Sequence, residues 1–158
     1  MGKTRIAPII NDFQSGQKTA KKAAEILVSK NLGFIVPTAG QKLNLLIAFA
    51  KKNKVVYGKA FDIVKLSEPV VLDDLVDLEQ NLQKVTIFEI KSTKKKLTSD
   101  FSSFFFALTG AEVLVAQSLK KQFKFALVNT STGEHVEMDL AQIFARAKGI
   151  YPTWSILI

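Results

Sequence analysis

The stretch Val85-Thr86-Ile87-Phe88-Glu89-Ile90 admits little but an extended chain, because β-branched and aromatic residues dominate it and alternate in a period of two. Segments with helical spacing lie on both sides. A strong strand bracketed by helices points to an α/β domain. Upstream, Ala20, Ala23, Ala24 and Leu27 recur at helical intervals with Lys18, Lys21 and Lys22 on the other side and Gly33 as a stop. After Pro37 to Gly40, the residues Leu43, Leu46, Ile47 and Ala50 repeat that spacing, and Lys51, Lys52 and Lys54 suit a helix C-terminus. Val55 to Tyr57 and Ala60 to Val64 read as one bent strand or two short ones. Leu72 to Leu82 reads as a short helical excursion, and the strand from Val85 is expected to end at the polar Lys91-Ser92-Thr93.

Downstream, Thr109 and Glu112 carry a capping-box signature that opens a helix through Ala111, Leu114, Val115 and Ser118 toward Lys120. Phe123 to Val128 alternates as a strand, Thr130 to Gly133 turns, and His135 to Met138 returns as a hairpin. Asp139 with Gln142 opens a last helix on Leu140, Ile143, Phe144 and Ala147, closed by Gly149, and Trp154 to Ile158 reads as a terminal strand. The expectation is a mixed β-sheet flanked by helices. With 158 residues, no repeat and no Pro- or Ser-rich linker, residues 1–158 read as a single domain.

Composition narrows the chemistry. There is no cysteine and His135 is the single histidine, which excludes thiol catalysis, Cys-type zinc sites and histidine metal clusters. Any metal must be held by oxygen, which means Mg²⁺-, Mn²⁺- or Ca²⁺-like chemistry. Twenty-two basic residues against 14 acidic ones give +8 at neutral pH and point to a polyanionic partner. Arginine occurs only at Arg5 and Arg146, so phosphate contact is expected over extensive guanine reading. Residues 1–8 lead into no apolar run of signal-peptide length. The longest apolar runs, Leu43 to Ala50 and Ala111 to Ala116, fall far short of the ~20 residues of a membrane span. A cytoplasmic location and no membrane contact are expected.

The chemistry concentrates where the strand ends. A period of two places Glu89 and Lys91 on one face about 6.5–7 Å apart, and Glu89 is the one acid in the chain with a lysine two positions later. Burying either charge in an apolar strand costs several kcal/mol unless it is paired or metal-bound. A carboxylate beside a lysine suits phosphodiester hydrolysis: the acid holds a divalent ion that polarises a phosphoryl oxygen, and the amine offsets developing charge. A second acid is required. Asp62, set between Phe61 and Ile63, is the first candidate, with Asp73, Asp74 and Asp77 as rivals that also read as the cap and solvated face of a short helix.

The pattern Asp62-Ile63-Val64, a variable insert, then Glu89-Ile90-Lys91 resembles the PD-(D/E)XK superfamily of restriction-endonuclease-like nucleases. Residues 17–128 also follow the element order of that family. The proline that often precedes the Asp is Phe61 here, and the insert is longer than in many members. The resemblance implies a restriction-endonuclease-like fold and Mg²⁺-dependent DNA cleavage, with Mn²⁺ as the substitute ion. It implies Asp62, Glu89 and the Ile90 carbonyl as metal ligands and Lys91 as the catalytic lysine. It also suggests auxiliary roles for Glu25 on the first helix and Gln117 on the helix after the motif, and a homodimer that cuts two strands.

Lys94, Lys95 and Lys96 continue from the motif as a positive strip for phosphates, joined by Ser99. Phe101, Phe104, Phe105 and Phe106 read first as core or subunit contact and second as base-stacking residues. His135 reads as an ordinary strand residue. Two other functions remain open at this level: a nucleic-acid-binding module without cleavage, and a subunit-interaction domain.

Overall fold

The computed structural model describes residues 7–152 and 156–158, with side chains from Lys18 onward. Five α-helices and five strands follow along it: α1 (Ala7–Ser29), β1 (Phe34–Ile35), α2 (Ala39–Lys51), β2 (Ile63–Leu66), α3 (Leu75–Gln80), β3 (Val85–Thr93), α4 (Gly110–Leu119), β4 (Phe123–Asn129), β5 (His135–Met138) and α5 (Leu140–Arg146). The strands form one mixed sheet in sequence order, with β3 at its centre. β1, β2 and β3 pair antiparallel, β3 and β4 pair parallel, and β4 and β5 close as an antiparallel hairpin. The parallel step is the one that needs a long crossover, and α4 supplies it.

Alternation along β3 assigns its two faces. Val85 and Ile87 join the larger core with Leu45, Phe49, Leu78, Val115, Phe123 and Phe125, under α2 to α5. Phe88 and Ile90 join a smaller core on the opposite face with Ala23 and Leu27 of α1. Three helices start at capping boxes, Thr38 with Gln41, Thr109 with Glu112 and Asp139 with Gln142, each worth about 1 kcal/mol. On the α1 face Lys65 of β2 reaches Glu137 of β5 at 2.7 Å. Three strand spacings of about 4.8 Å separate these strands, so the sheet must curl strongly. His135, which contacts Glu137 at 3.4 Å, and then Lys65 hold the Glu137 carboxyl down at about 2 against the opposing effect of burial.

Several sequence expectations need correction. Val55 to Tyr57 forms no strand; Val55 and Tyr57 are exposed, and the Val55 amide donates to Ser118 Oγ at 2.7 Å instead of to a neighbouring strand. β2 starts at Ile63, later than expected, after a short 3-10 turn over Gly58–Ala60. β3 ends at Thr93, within the expected polar run, because β4 pairs with it through Asn129, and backbone hydrogen bonds do not depend on side-chain polarity. β1 escaped the sequence reading, since two residues are too few to show periodicity. α5 ends at Arg146, ahead of Gly149, as Ala147 turns extended. Residues 156–158 form no strand and are exposed, while Trp154 lies outside the described residues.

Gly33 marks the end of the α1 region for a steric reason. Its φ is +88°, and a Cβ there would lie 2.3 Å from the Leu66 carbonyl oxygen, on the residue whose amide donates to the Gly33 carbonyl. Gly33→Ala should therefore lower stability by about 1–3 kcal/mol from backbone strain alone. The check is a lower urea midpoint at unchanged slope.

Candidate active site

The termination of β2 shapes the site. The β2–β3 ladder stops at Ile63 opposite Phe88, and the chain arrives there through Asp62, whose amide donates to the Phe88 carbonyl at 2.8 Å. Two residues further along β3, the Ile90 amide has passed the end of the neighbouring strand. Asp62 Oδ2 accepts that amide at 3.0 Å, which anchors the carboxylate at the sheet end where Glu89 and Lys91 project. An aspartate fits here because its side chain is short enough to replace a missing strand carbonyl.

Glu89 and Lys91 continue the Val85–Ile87 row, as the period of two requires, and their side chains are each only 13% exposed. Lys91 Nζ lies 3.3 Å from Glu89 Oε1 and 2.9 and 3.0 Å from the two oxygens of Glu112. Glu112 stands in the first turn of α4, is buried, and also accepts the Thr109 amide at 3.0 Å through Oε2. One carboxylate thus caps the helix and seats the lysine. The sequence reading identified the cap and missed the second role, because nothing in residues 109–112 shows which way α4 turns once it crosses the sheet.

Glu89 is the electrostatically stressed member. Burial pushes its carboxyl up to about 9, the Asp62 charge pushes in the same direction, Lys91 pulls it back, and Glu112 adds to the rise. Its Oε2 is buried without a hydrogen-bond partner, the one such side-chain atom among the described residues. Native structures rarely leave a buried carboxylate oxygen so, and where they do a missing ion, water or ligand is one of the recognised causes. Among the described residues, no group of three or more His, Cys, Asp or Glu side chains forms a ready metal cage. Asp62 lies near enough for its charge to raise the Glu89 carboxyl, and Glu112 is engaged by Lys91.

The other sequence candidates lie elsewhere or serve local structure. Asp74 caps α3 through the amides of Val76 and Asp77. Asp77 accepts from the Val71 amide and the Asn81 side chain, and Asp73 accepts from Gln41. These contacts account for all three acids without the site. Glu25 lies on α1 in an apolar groove with Val28, Phe34 and Val36, beside β1. Gln117 is on the exposed face of α4, away from buried Glu112, Val115, Ala116 and Leu119.

Lys94, Lys95 and Lys96 are exposed directly after β3, and their backbone is pinned to the β4–β5 turn: Asn129 donates to the Lys95 carbonyl at 3.0 Å and Ser131 to the Lys94 carbonyl at 2.9 Å. Ser99 is exposed further along the same loop. Phe101 is buried, and Phe104 and Phe106 pack against the larger core, whereas Phe105 is 80% exposed. No helix among the described residues is long and apolar enough to cross a membrane. Compared with known proteins, the chain matches no family model, no curated protein and no solved structure.

Proposed function

We propose that this protein is a cytoplasmic, Mg²⁺-dependent endonuclease that hydrolyses DNA phosphodiester bonds, with Asp62 and Glu89 as metal-binding acids and Lys91 as the catalytic amine. The single observation that carries the proposal is the buried, unpartnered Oε2 of Glu89 next to a second acid and a lysine. The donor set fits the ion. Mg²⁺ commonly takes one or two carboxylates, keeps several waters and fills the rest from substrate phosphate, so a three-acid cage is not required. Asp62, Glu89 and the Ile90 carbonyl would hold it, with Mn²⁺ as a substitute. When bound, the ion supplies Lewis-acid polarisation of a phosphoryl oxygen and a more acidic water.

The remaining chemistry belongs to the chain itself. Asp62 is kept in place by the Ile90 amide, so its carboxylate needs little reorganisation to engage a cation. Lys91 carries positive charge to where negative charge grows on the phosphoryl group, and Glu112 fixes its rotamer from behind. Lys94, Lys95 and Lys96 attract the phosphate backbone at the same strand end. The order of a leading helix, an antiparallel strand pair carrying Asp and Glu-x-Lys, and a helical crossover into a parallel strand supports a restriction-endonuclease-like fold. A role in restriction or DNA processing, with a homodimer cutting both strands, follows from that likeness.

Supercoiled plasmid should be nicked by the purified chain in Mg²⁺ or Mn²⁺ and left intact in EDTA. Persistence of the supercoiled form at every metal concentration, with DNA binding retained, would remove the nuclease reading. It would leave a second one, a nucleic-acid-binding module without cleavage. That alternative draws on the Lys91–Glu112 contact, which engages the amine on an acid instead of leaving it for phosphate.

A further inference from the structure

Two aromatic rings sit in water where the fold gives them nothing to bury. Phe105 is 80% exposed and Tyr151 76%, yet their centroids lie 6.4 Å apart at an interplanar angle of 48°, within the range of a real aromatic pair. Their placement follows from the structure around them. Phe104 and Phe106 on either side of Phe105 turn inward against the larger core, with buried Phe101 close by, so Phe105 is held outward by its neighbours. Asp100 tightens the same loop by accepting from the Thr98 hydroxyl, the Ser102 hydroxyl and the Ser102 amide, and Ser103 takes a left-handed φ of +66°.

The second ring is positioned independently. A Cβ on Gly149 would lie 2.6 Å from the Tyr151 hydroxyl oxygen, so the tyrosine ring folds back over Gly149. Arg146 joins the two halves by donating from Nη2 to the Asp100 carbonyl. The loop that carries Phe105 runs from β3, which bears Lys91, to α4, which bears Glu112. Lys94, Lys95 and Lys96 are exposed on the first part of this loop, and exposed Lys148 lies close to Tyr151 in sequence. Exposed aromatic faces on segments that also carry exposed lysines suit nucleic acid whose bases are unstacked, since every base has a π-face and a duplex hides it.

We propose that Phe105 and Tyr151 form a stacking platform for an unpaired base, so that the nucleic acid delivered to the candidate active site is single-stranded or locally opened. This rests on the nucleic-acid reading of the site and goes beyond it by specifying the substrate class. The exposed lysines on the two segments that carry the rings hold the phosphates of the same strand, and specificity for sequence is not required.

The test is fluorescence anisotropy with the full chain in EDTA, so that binding is read apart from cleavage. The probes are a short labelled oligothymidine, its counterpart with an internal 2-aminopurine, and a blunt hairpin duplex. Phe105→Ala and Tyr151→Ala should each weaken the single strand roughly tenfold, leave duplex affinity unchanged, and abolish the 2-aminopurine quenching seen with the unmodified chain. Phe105→Trp should retain both affinity and quenching. Both side chains are exposed, so the variants should melt as the parent does. Unchanged single-strand affinity, an equal loss for both probes, or dissociation of a dimer without loss of affinity would each overturn the platform. Absence of binding to either probe by the parent chain would overturn the nucleic-acid reading along with it, whereas plasmid nicking with no Phe105 effect would spare that reading.

Discussion

Glu89→Gln abolishes metal-dependent nicking and at the same time makes the protein more stable: this paired outcome is expected because the glutamate is costly to the fold. Its carboxyl stays protonated up to about 9 in the metal-free native state, against 4.5 for an ordinary glutamate, through burial first and the Asp62 charge second. A group with a raised carboxyl pKa contributes nothing below about 4.5, where folded and unfolded chains are both protonated. Between 4.5 and 9 the unfolded chain ionises and the native chain does not, so stability falls as pH rises. Glutamine keeps the shape and removes the titration. Urea denaturation in EDTA should find the variant more stable by about 1–3 kcal/mol near pH 8 and nearly equal near pH 5. Cleavage should fall roughly a thousandfold. Wild-type nicking by the variant would exclude Glu89 from catalysis, and a loss of stability at pH 8 would make it a structural ion-pair partner.

Glu112→Leu should be among the most destabilising single changes available, with a loss of about 3–5 kcal/mol. The side chain is 5% exposed and accepts Lys91 through both oxygens and the Thr109 amide through one of them. Its removal leaves a lysine that is 13% exposed with only Glu89 at 3.3 Å, and takes the side-chain acceptor from the Thr109 amide. Breaking a buried pair costs more than never having had it, so Glu112→Leu combined with Lys91→Met should recover most of the loss. A urea double-mutant cycle measures the coupling. Independent, additive effects of the two changes would mean that the pair is not the unit the geometry describes. A stable but inactive double variant would show that the ion pair is retained for its chemistry.

Local chemistry made a large part of this molecule legible. The alternation of Val85 to Ile90 could only be a strand, and the Thr109–Glu112 and Asp139–Gln142 boxes placed two helix starts at the observed residues. The face shared by Glu89 and Lys91 followed from strand geometry alone. Failures came where a segment depends on a distant partner. Val55 to Tyr57 has strand-forming residues but meets Ser118 of α4 instead of another strand, and Phe34–Ile35 pairs with β2 despite its brevity. The Asp73, Asp74 and Asp77 rivals were separated from Asp62 by the hydrogen bonds each one makes.

What the sequence determined by itself is everything carried by short-range sterics and period: the strand, the capped helices, the positive strip and the face on which an acid and an amine stand side by side. What only the tertiary structure decided is which other acids join them. Asp62 is held next to the Glu89-bearing strand because β2 stops short and leaves the Ile90 amide to be satisfied, and Glu112 reaches Lys91 because α4 crosses back over the sheet. Such encounters join residues distant along the chain and depend on the sum of many weak packing preferences, so no local pattern records them.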